Sequence, residues 1–240
     1  MTPIFVLTCD RLGCLKRALA SYEECIDTPY EIVLIDFGST YEPTVEFIDQ
    51  FRHNGGLVYR MGRINGQNEL NKANIAIEDY FLTHPLTNYV VTDPDVELDN
   101  TKCNILDVYR VMLHTHPDIH VVGPMLRIDD IPEYYIYRDK ILSGEMGQHK
   151  RFHAQVVHNG EYNGVDVSYI YAPIDTTFGM YRAALPWVRM MPGIRMRSPY
   201  SARHLDWYID HDNLTPDQKY YMEHASRGIA HWGMGEGAHE

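Results

Sequence analysis

Three times before residue 93 a short apolar run passes through a polar cluster into an amphipathic stretch, and few architectures accept that alternation. Ile4 to Leu7 reads as a buried strand and Thr8-Cys9-Asp10-Arg11 as its polar exit. Leu12, Leu15, Leu19, Tyr22 and Ile26 follow at helical spacing, up to Thr28-Pro29. Glu31 to Ile35 is a second strand, leaving through Asp36-Phe37-Gly38-Ser39-Thr40 into a helix over about Pro43 to Arg52 that Asn54-Gly55-Gly56 ends. Leu57 to Arg60 is a third strand. Asn71 to Leu82 is a third helix, with Ile75, Ile77, Tyr80 and Phe81 as its apolar positions and Pro85 as its stop. Such repetition implies right-handed crossovers and an α/β fold: a Rossmann-like, mainly parallel sheet with helices on both faces.

Tyr89 to Thr92 is the fourth strand, and Asp93-Pro94-Asp95 ends it. Proline has no N–H to continue a ladder, so the chain turns there with two carboxylates at the strand's C-terminal end. Ligands bind open sheets of this kind beyond those ends. Thr8, Asp10, Arg11, Asp36, Asp93 and Asp95 are therefore expected along one rim, although far apart in sequence. Two aspartates one residue apart suit a hard divalent cation, Mg²⁺ or Mn²⁺, which takes oxygen ligands and often a substrate phosphate; a solvated turn is the plain alternative.

The second half is less regular. Asn104 to Leu113 reads as a helix and Ile119 to Leu126 as a strand, with a Tyr-rich loop or short helix over Pro132 to Arg151. Val156-Val157 and Val165 to Tyr171 flank two hairpin signals, Asn159-Gly160 and Asn163-Gly164. Thr176 to Tyr181 is a short strand, Met190 to Ser198 a basic loop, and Ser201 caps a helix running through Ile209. Thr215-Pro216-Asp217 starts another. With no internal repeat or linker-like segment, one domain over 1–240 is expected.

The net charge of −12 repels polyanions, which argues against nucleic acid. A phosphate ligand would need a metal or local Arg and Lys. Cys9, Cys14, Cys25 and Cys103 have no C-x-x-C or zinc spacing and read as reduced thiols. The first residues lack the basic segment of a signal peptide, and no apolar run approaches the ~20 residues of a membrane span. A cytoplasmic protein is expected.

Val6 to Arg11, Glu31 to Thr40, Asn65-Gly66 to Asn74 and Thr92 to Asp95 together resemble, in order and spacing, the nucleotide-sugar half of GT-A glycosyltransferases of the family 2 type. The resemblance covers about residues 3 to 100. It implies a donor half over about 1–100 and an acceptor half over about 101–240. It also implies a nucleoside diphosphate sugar donor (a UDP-sugar before a GDP-sugar), a glycan or glycoconjugate acceptor, and Mn²⁺ or Mg²⁺. Thr8, Asp10 and Arg11 would lie along the nucleoside, and Asp36 would accept hydrogen bonds from base or ribose. Arg63 and Lys72 would meet the diphosphate, with Asn71 and Asn74 supporting the cleft. Asp95 would be the direct metal ligand, Asp93 would face the ribose or a metal-bound water, and His231 in the Gly-rich tail would complete the shell. The base that deprotonates the acceptor, giving inversion, would be Asp206 in Arg203-His204-Leu205-Asp206-Trp207, with Asp175 in reserve and Trp207 or Tyr208 as the acceptor's platform. The usual Glu-Asp pair is absent there.

Two other classes compete. A nucleotidyltransferase acting on sugar phosphates also pairs Gly-Ser with an Asp-x-Asp strand, but on adjoining strands, whereas here a strand and a helix intervene. A carbohydrate-binding protein that kept the fold without the chemistry would have little use for adjacent carboxylates that repel each other.

Overall fold

The computed structural model describes residues 1–162 and 164–225. β1 (Thr2–Thr8) is buried at every position, and α1 (Leu12–Cys25) turns Leu15, Ala18, Tyr22 and Cys25 inward. β2 (Tyr30–Asp36) leads to α2 (Glu42–His53), with Pro43 in its first turn, and to β3 (Leu57–Arg60). The expected third helix starts later than its sequence pattern suggests. A 3₁₀ segment covers Gln67–Lys72, α3 runs Ala73–Thr83, and Ile75 faces solvent. β4 (Tyr89–Thr92) ends at Asp93-Pro94-Asp95, and the two-residue β5 (Val96–Glu97) follows.

Beyond it come α4 (Ile105–Thr115), β6 (Val121–Pro124) and the short α5 (Arg138–Ser143) and α6 (His149–His153). β7 (His158–Tyr162) and β8 (Val165–Ile174) pair as a hairpin, so Asn159-Gly160 lies inside a strand and is not its turn. β9 is Gly179–Tyr181. Two expectations fail here. Met190 to Ser198 is no loop: β10 (Met191–Met196) is a buried strand between β6 and β8. Its Pro192 and Gly193 resemble a turn in sequence, but a Cβ at Gly193 would sit 2.5 Å from the Val121 carbonyl, so the glycine serves close strand approach. Nor does Ser201 start a helix: Arg203–His204 is a strand, β11, followed by a 3₁₀ turn over Leu205–Tyr208. α7 (Pro216–His224) carries the expected cap, with Thr215 and Gln218 closing a capping box.

The sheet order is β3-β2-β1-β4-β9-β6-β10-β8-β7. β9 pairs antiparallel with both neighbours and so does β8, so the other seven strands share one direction. Period-two alternation in β1 splits the core: Ile4 and Val6 face the layer of α1 and α4, while Phe5 and Leu7 face α3. Each fully buried side chain of this size contributes about 1.5–3 kcal/mol. No helix among the described residues is long and apolar enough to cross a membrane.

Outside the main sheet, β5 and β11 pair antiparallel, setting His204 opposite Val96 and Arg203 opposite Glu97. The Leu205 N–H donates to the Asp95 carbonyl at 2.7 Å, and the Tyr22 hydroxyl donates to the Val96 carbonyl at 2.8 Å. This small ladder fastens the turn that carries Asp206 over the end of β4.

Candidate active site

A cleft with about 270 Å³ of room opens at the C-terminal ends of β1 and β4. Thr8 and Asp36 close the β1–β2 register as partners. Gly38, at φ +80, lets the loop after β2 turn under the Gly62-Arg63 backbone; a Cβ there would meet the Arg63 nitrogen at 2.6 Å. At the end of β4 the Asp93 N–H donates to the Thr176 carbonyl at 2.8 Å, and the Thr176 hydroxyl donates to the Asp93 carboxylate.

The chemistry concentrates around Asp95, which is 1% exposed. Its Oδ2 accepts Arg11 Nη1–H at 3.0 Å and lies 3.4 Å from His204 Nε2. A second Arg11 nitrogen donates to Asp206. The ligand atoms that Asp95, His204 and Asp206 offer lie within 4.8 Å of one another, all three residues being buried. Asp95 Oδ1 is buried and accepts no hydrogen bond from a described residue. A buried carboxylate oxygen left over in a set of two carboxylates and an imidazole fits a small divalent cation.

Electrostatics separates the carboxylates. Burial works to raise Asp95's proton affinity, but His204 and Arg11 outweigh it and the carboxyl is held below its usual range. Asp93 goes the other way: burial first, then the Asp95 charge, push it well up against the Thr176 hydrogen bond. Asp206 is raised, by burial before anything else, with Arg11 opposing. Burial also disfavours the Arg11 charge, yet Asp206 and Asp95 overcome it and hold the guanidinium firmly ionised. The Tyr221 ring lies 5.0 Å from that guanidinium.

Of the residues expected at the rim, Thr8, Arg11, Arg63, Asp93, Asp95, Asp175 and Asp206 line this cleft. Arg11 lies at the carboxylates, donating to Asp95 and to Asp206. Arg63 also reaches α7, donating to the His224 carbonyl. The others do not line the cleft. Asp10, at φ +50, accepts the Thr40 and Tyr41 N–H groups at 2.5 and 2.7 Å, tying down the loop after β2. Asp36 accepts the Ser39 N–H and hydroxyl at 2.9 and 2.7 Å. Lys72 pairs with Glu69 at 2.9 Å on the surface, one helical turn away, and Asn71 is exposed. Asn74 is spent on the Trp187 backbone, which its amide clamps at 2.8 and 2.9 Å. Asp175 is gripped by Arg189 through both oxygens, at 2.5 and 2.7 Å. Trp207 is fully buried and stacks on His204 with ring centres 5.1 Å apart, so it is core and cannot be the acceptor's platform; the Tyr208 hydroxyl is committed to Asp130. His231 and the glycines of the tail lie outside the described residues.

Sequence reasoning passed over His204, Arg195 and Tyr221. His204 stood inside a quoted motif, but only the β5–β11 pairing places it on Asp95. Arg195 was counted among the charges of a loop that is a strand.

No protein-family model and no curated protein matches the chain. Among solved structures it is similar to the mannosyltransferase PcManGT from Pyrobaculum calidifontis in complex with GDP-Man and Mn²⁺, at 18% identity over 54% of this chain and 36% of that one, TM-score 0.38. It is similar to TarS 1–349 of S. aureus at 14% identity over 76% of this chain and 47% of that one, TM-score 0.43. A third likeness is GalNAc-T7 with UDP, GalNAc and Mn²⁺, at 20% identity over 52% and 23%, TM-score 0.36. The chain spans less than half the length of each of these chains. Likenesses this slight carry no functional weight, and that weight falls on the cleft.

Proposed function

We propose that the chain is a cytoplasmic, metal-dependent inverting glycosyltransferase of GT-A type, moving a sugar from a nucleoside diphosphate sugar, a UDP-sugar by preference, to a hydroxyl of a glycan or glycoconjugate. The observation that carries this reading is the orphaned, buried Oδ1 of Asp95 within a cluster of Asp95, His204 and Asp206, in a cleft at the strand ends of an α/β sheet. Residues of both halves build that cleft, so the donor half (about 1–100) and the acceptor half (about 101–240) act as one unit.

On this reading Asp95 and His204 would hold Mn²⁺ or Mg²⁺, with Asp93 beside them and Asp206 as a third donor only where it is not the base. When bound, the ion supplies Lewis-acid neutralisation of the charge that grows on the departing diphosphate. The chain does the rest. Thr8, Arg63 and the Phe37 loop border the donor's course, and Arg63 meets its diphosphate. A carboxylate on the acceptor side takes the hydroxyl's proton as the new bond forms, a contribution of roughly 10²–10⁴ in rate. Asp206, whose proton affinity burial raises, is preferred for that role over Asp175, which Arg189 occupies. Its two proposed roles exclude each other, and the Asn variant separates them.

A thermal-shift series of UDP-, GDP-, CMP- and dTDP-sugars with and without Mn²⁺ tests the proposal. A ligand at 100 times its Kd stabilises by about 2.7 kcal/mol. A Mn²⁺-dependent shift with one nucleotide class is expected. The absence of any shift, or pyrophosphate release from a nucleoside triphosphate and a sugar phosphate, would displace this reading in favour of a binding protein or a nucleotidyltransferase.

A further inference from the structure

Besides its carboxylates the cleft is lined by a guanidinium that pairs with no carboxylate among the described residues. Arg195, on β10, is 2% exposed. Its Nε donates to the Pro173 carbonyl at 2.8 Å, and its Nη1 to the Pro124 carbonyl at 3.0 Å and the Thr177 hydroxyl at 3.3 Å. Every one of these acceptors is neutral. Among the described residues no carboxylate pairs with Arg195, and Asp175, whose charge it feels most, is held by Arg189 through both oxygens. The guanidinium carbon lies 5.0 Å from the centre of the Phe152 ring, which also lines the cleft. Nη2 donates to no described residue.

A buried cation gains from a neutral carbonyl only part of what an anion would return, and taking it out of water is costly. Arg182 also donates to carbonyls, those of Ile119 and His116 at 2.6 and 2.7 Å, but from a partly exposed position beside the end of α4. Burial pushes Arg195 down to about 10, which leaves it charged at neutral pH. His149, which packs on the same Phe152 ring, is held well below its ordinary range, by burial first and by Arg195 next. The cleft thus holds, besides its carboxylates, a buried guanidinium that no carboxylate among the described residues pairs with.

We propose that Arg195 binds an oxyanion, a carboxylate or phosphate group carried by one of the two sugar-transfer substrates, by the charge-assisted hydrogen bonds that a planar guanidinium makes to such groups. The assignment of that anion to a substrate rests on the glycosyl-transfer reading; the anion site itself does not. The strand β10 and the Phe152 face hold the guanidinium in place, so the anion meets a preorganised donor.

Two matched pairs of probes locate the anion. Calorimetry with Mn²⁺ compares UDP-glucuronic acid with UDP-glucose, and thermal shift compares glycerol 3-phosphate with glycerol at constant ionic strength. The charged member of one pair is expected to bind on the order of tenfold more tightly. Preference for the uronate puts the anion on the donor, and preference for the phosphate ester puts it on the acceptor. Arg195→Gln should abolish the preference and Arg195→Lys should keep part of it, with UDP–Mn²⁺ affinity unchanged in both. Equal response of the wild-type protein to both members of both pairs overturns the proposal, whether or not the variants fold. A preference that survives in Arg195→Gln also overturns it and leaves Arg195 a tie between strands. Failure of every UDP compound to bind, with the phosphate ester still preferred, would instead remove the donor reading and leave the anion site standing.

Discussion

Arg11 Nη1 donates to Asp95 Oδ2 at 3.0 Å, and its other terminal nitrogen donates to Asp206, so one guanidinium lies between two buried carboxylates. That place, beside His204, is also where the proposed divalent ion would bind. Arginine and the proposed ion would thus act as competing counter-charges for one pair of acids.

Replacing Arg11 with methionine keeps its bulk and removes the competitor. Without metal the variant should be less stable than wild type, by about 3 kcal/mol, because two buried carboxylates lose their partner. Adding Mn²⁺ should restore the loss and produce a larger melting shift than in wild type. An equal or smaller Mn²⁺ shift in the variant would mean that the ion binds elsewhere.

Asp95→Asn should leave the fold intact and weaken Mn²⁺-dependent binding of UDP, since Oδ1 is the buried oxygen that no described residue satisfies. Calorimetric affinity equal to wild type in Mn²⁺ would end the assignment. The histidine of the site is checked in parallel. His204→Ala should weaken Mn²⁺ binding because Nε2 lies 3.4 Å from Asp95, and His231→Ala serves as the comparison, testing the ligand that sequence alone proposed.

Burial sets the reactivity of the thiols. Cys9 and Cys14 are pushed up from about 9 to about 12, desolvation being the main cause, and Cys25 is raised for the same reason. A thiol raised in this way stays protonated up to higher pH, and only the thiolate reacts. Iodoacetamide at pH 8 should therefore label the exposed Cys103 first, and all four of the cysteines after denaturation. Labelling of Cys9 as fast as Cys103 in the native protein, seen by peptide mass spectrometry, would contradict the closed environment of the cleft wall.

What the sequence disclosed and what it hid divide by range. The rim was legible because local signals carry it: apolar runs mark β1, β2 and β4, and topology alone then gathers Thr8, Arg11, Asp93 and Asp95. The fate of single side chains was not. Asp10 and Asp36 sit at the strand ends as expected, yet Asp10 is taken up by the Thr40 and Tyr41 N–H groups of the loop after β2, and Asp36 by the Ser39 N–H and hydroxyl of its own turn. Lys72 had a partner three residues away that satisfied it. His204 and Arg195 depend on pairings across long separations, β11 with β5 and β10 with β6, for which no periodicity in either segment gives a sign. Trp207 went wrong for a related reason: in a helix it would have had a solvent face, whereas the 3₁₀ turn buries it against His204 and His149.

Asp206→Asn separates the two roles proposed for that residue. The amide keeps the shape of the carboxylate and an oxygen for Arg11, so the fold and the Arg11 contact should survive. As the base, Asp206 acts only in the transition state, and its loss should lower kcat by roughly 10²–10⁴ with the affinities for Mn²⁺ and UDP unchanged. As a metal donor, its loss should weaken Mn²⁺ binding in calorimetry, and excess Mn²⁺ should recover turnover. The base reading adds a stereochemical outcome that the donor reading does not: attack from the face opposite the diphosphate gives a product whose anomeric configuration, read by NMR, is inverted relative to the donor sugar. Near-normal turnover with unchanged Mn²⁺ affinity in Asp206→Asn would remove the residue from both roles. It would leave Asp175 as the remaining acid, which Arg189 must first release.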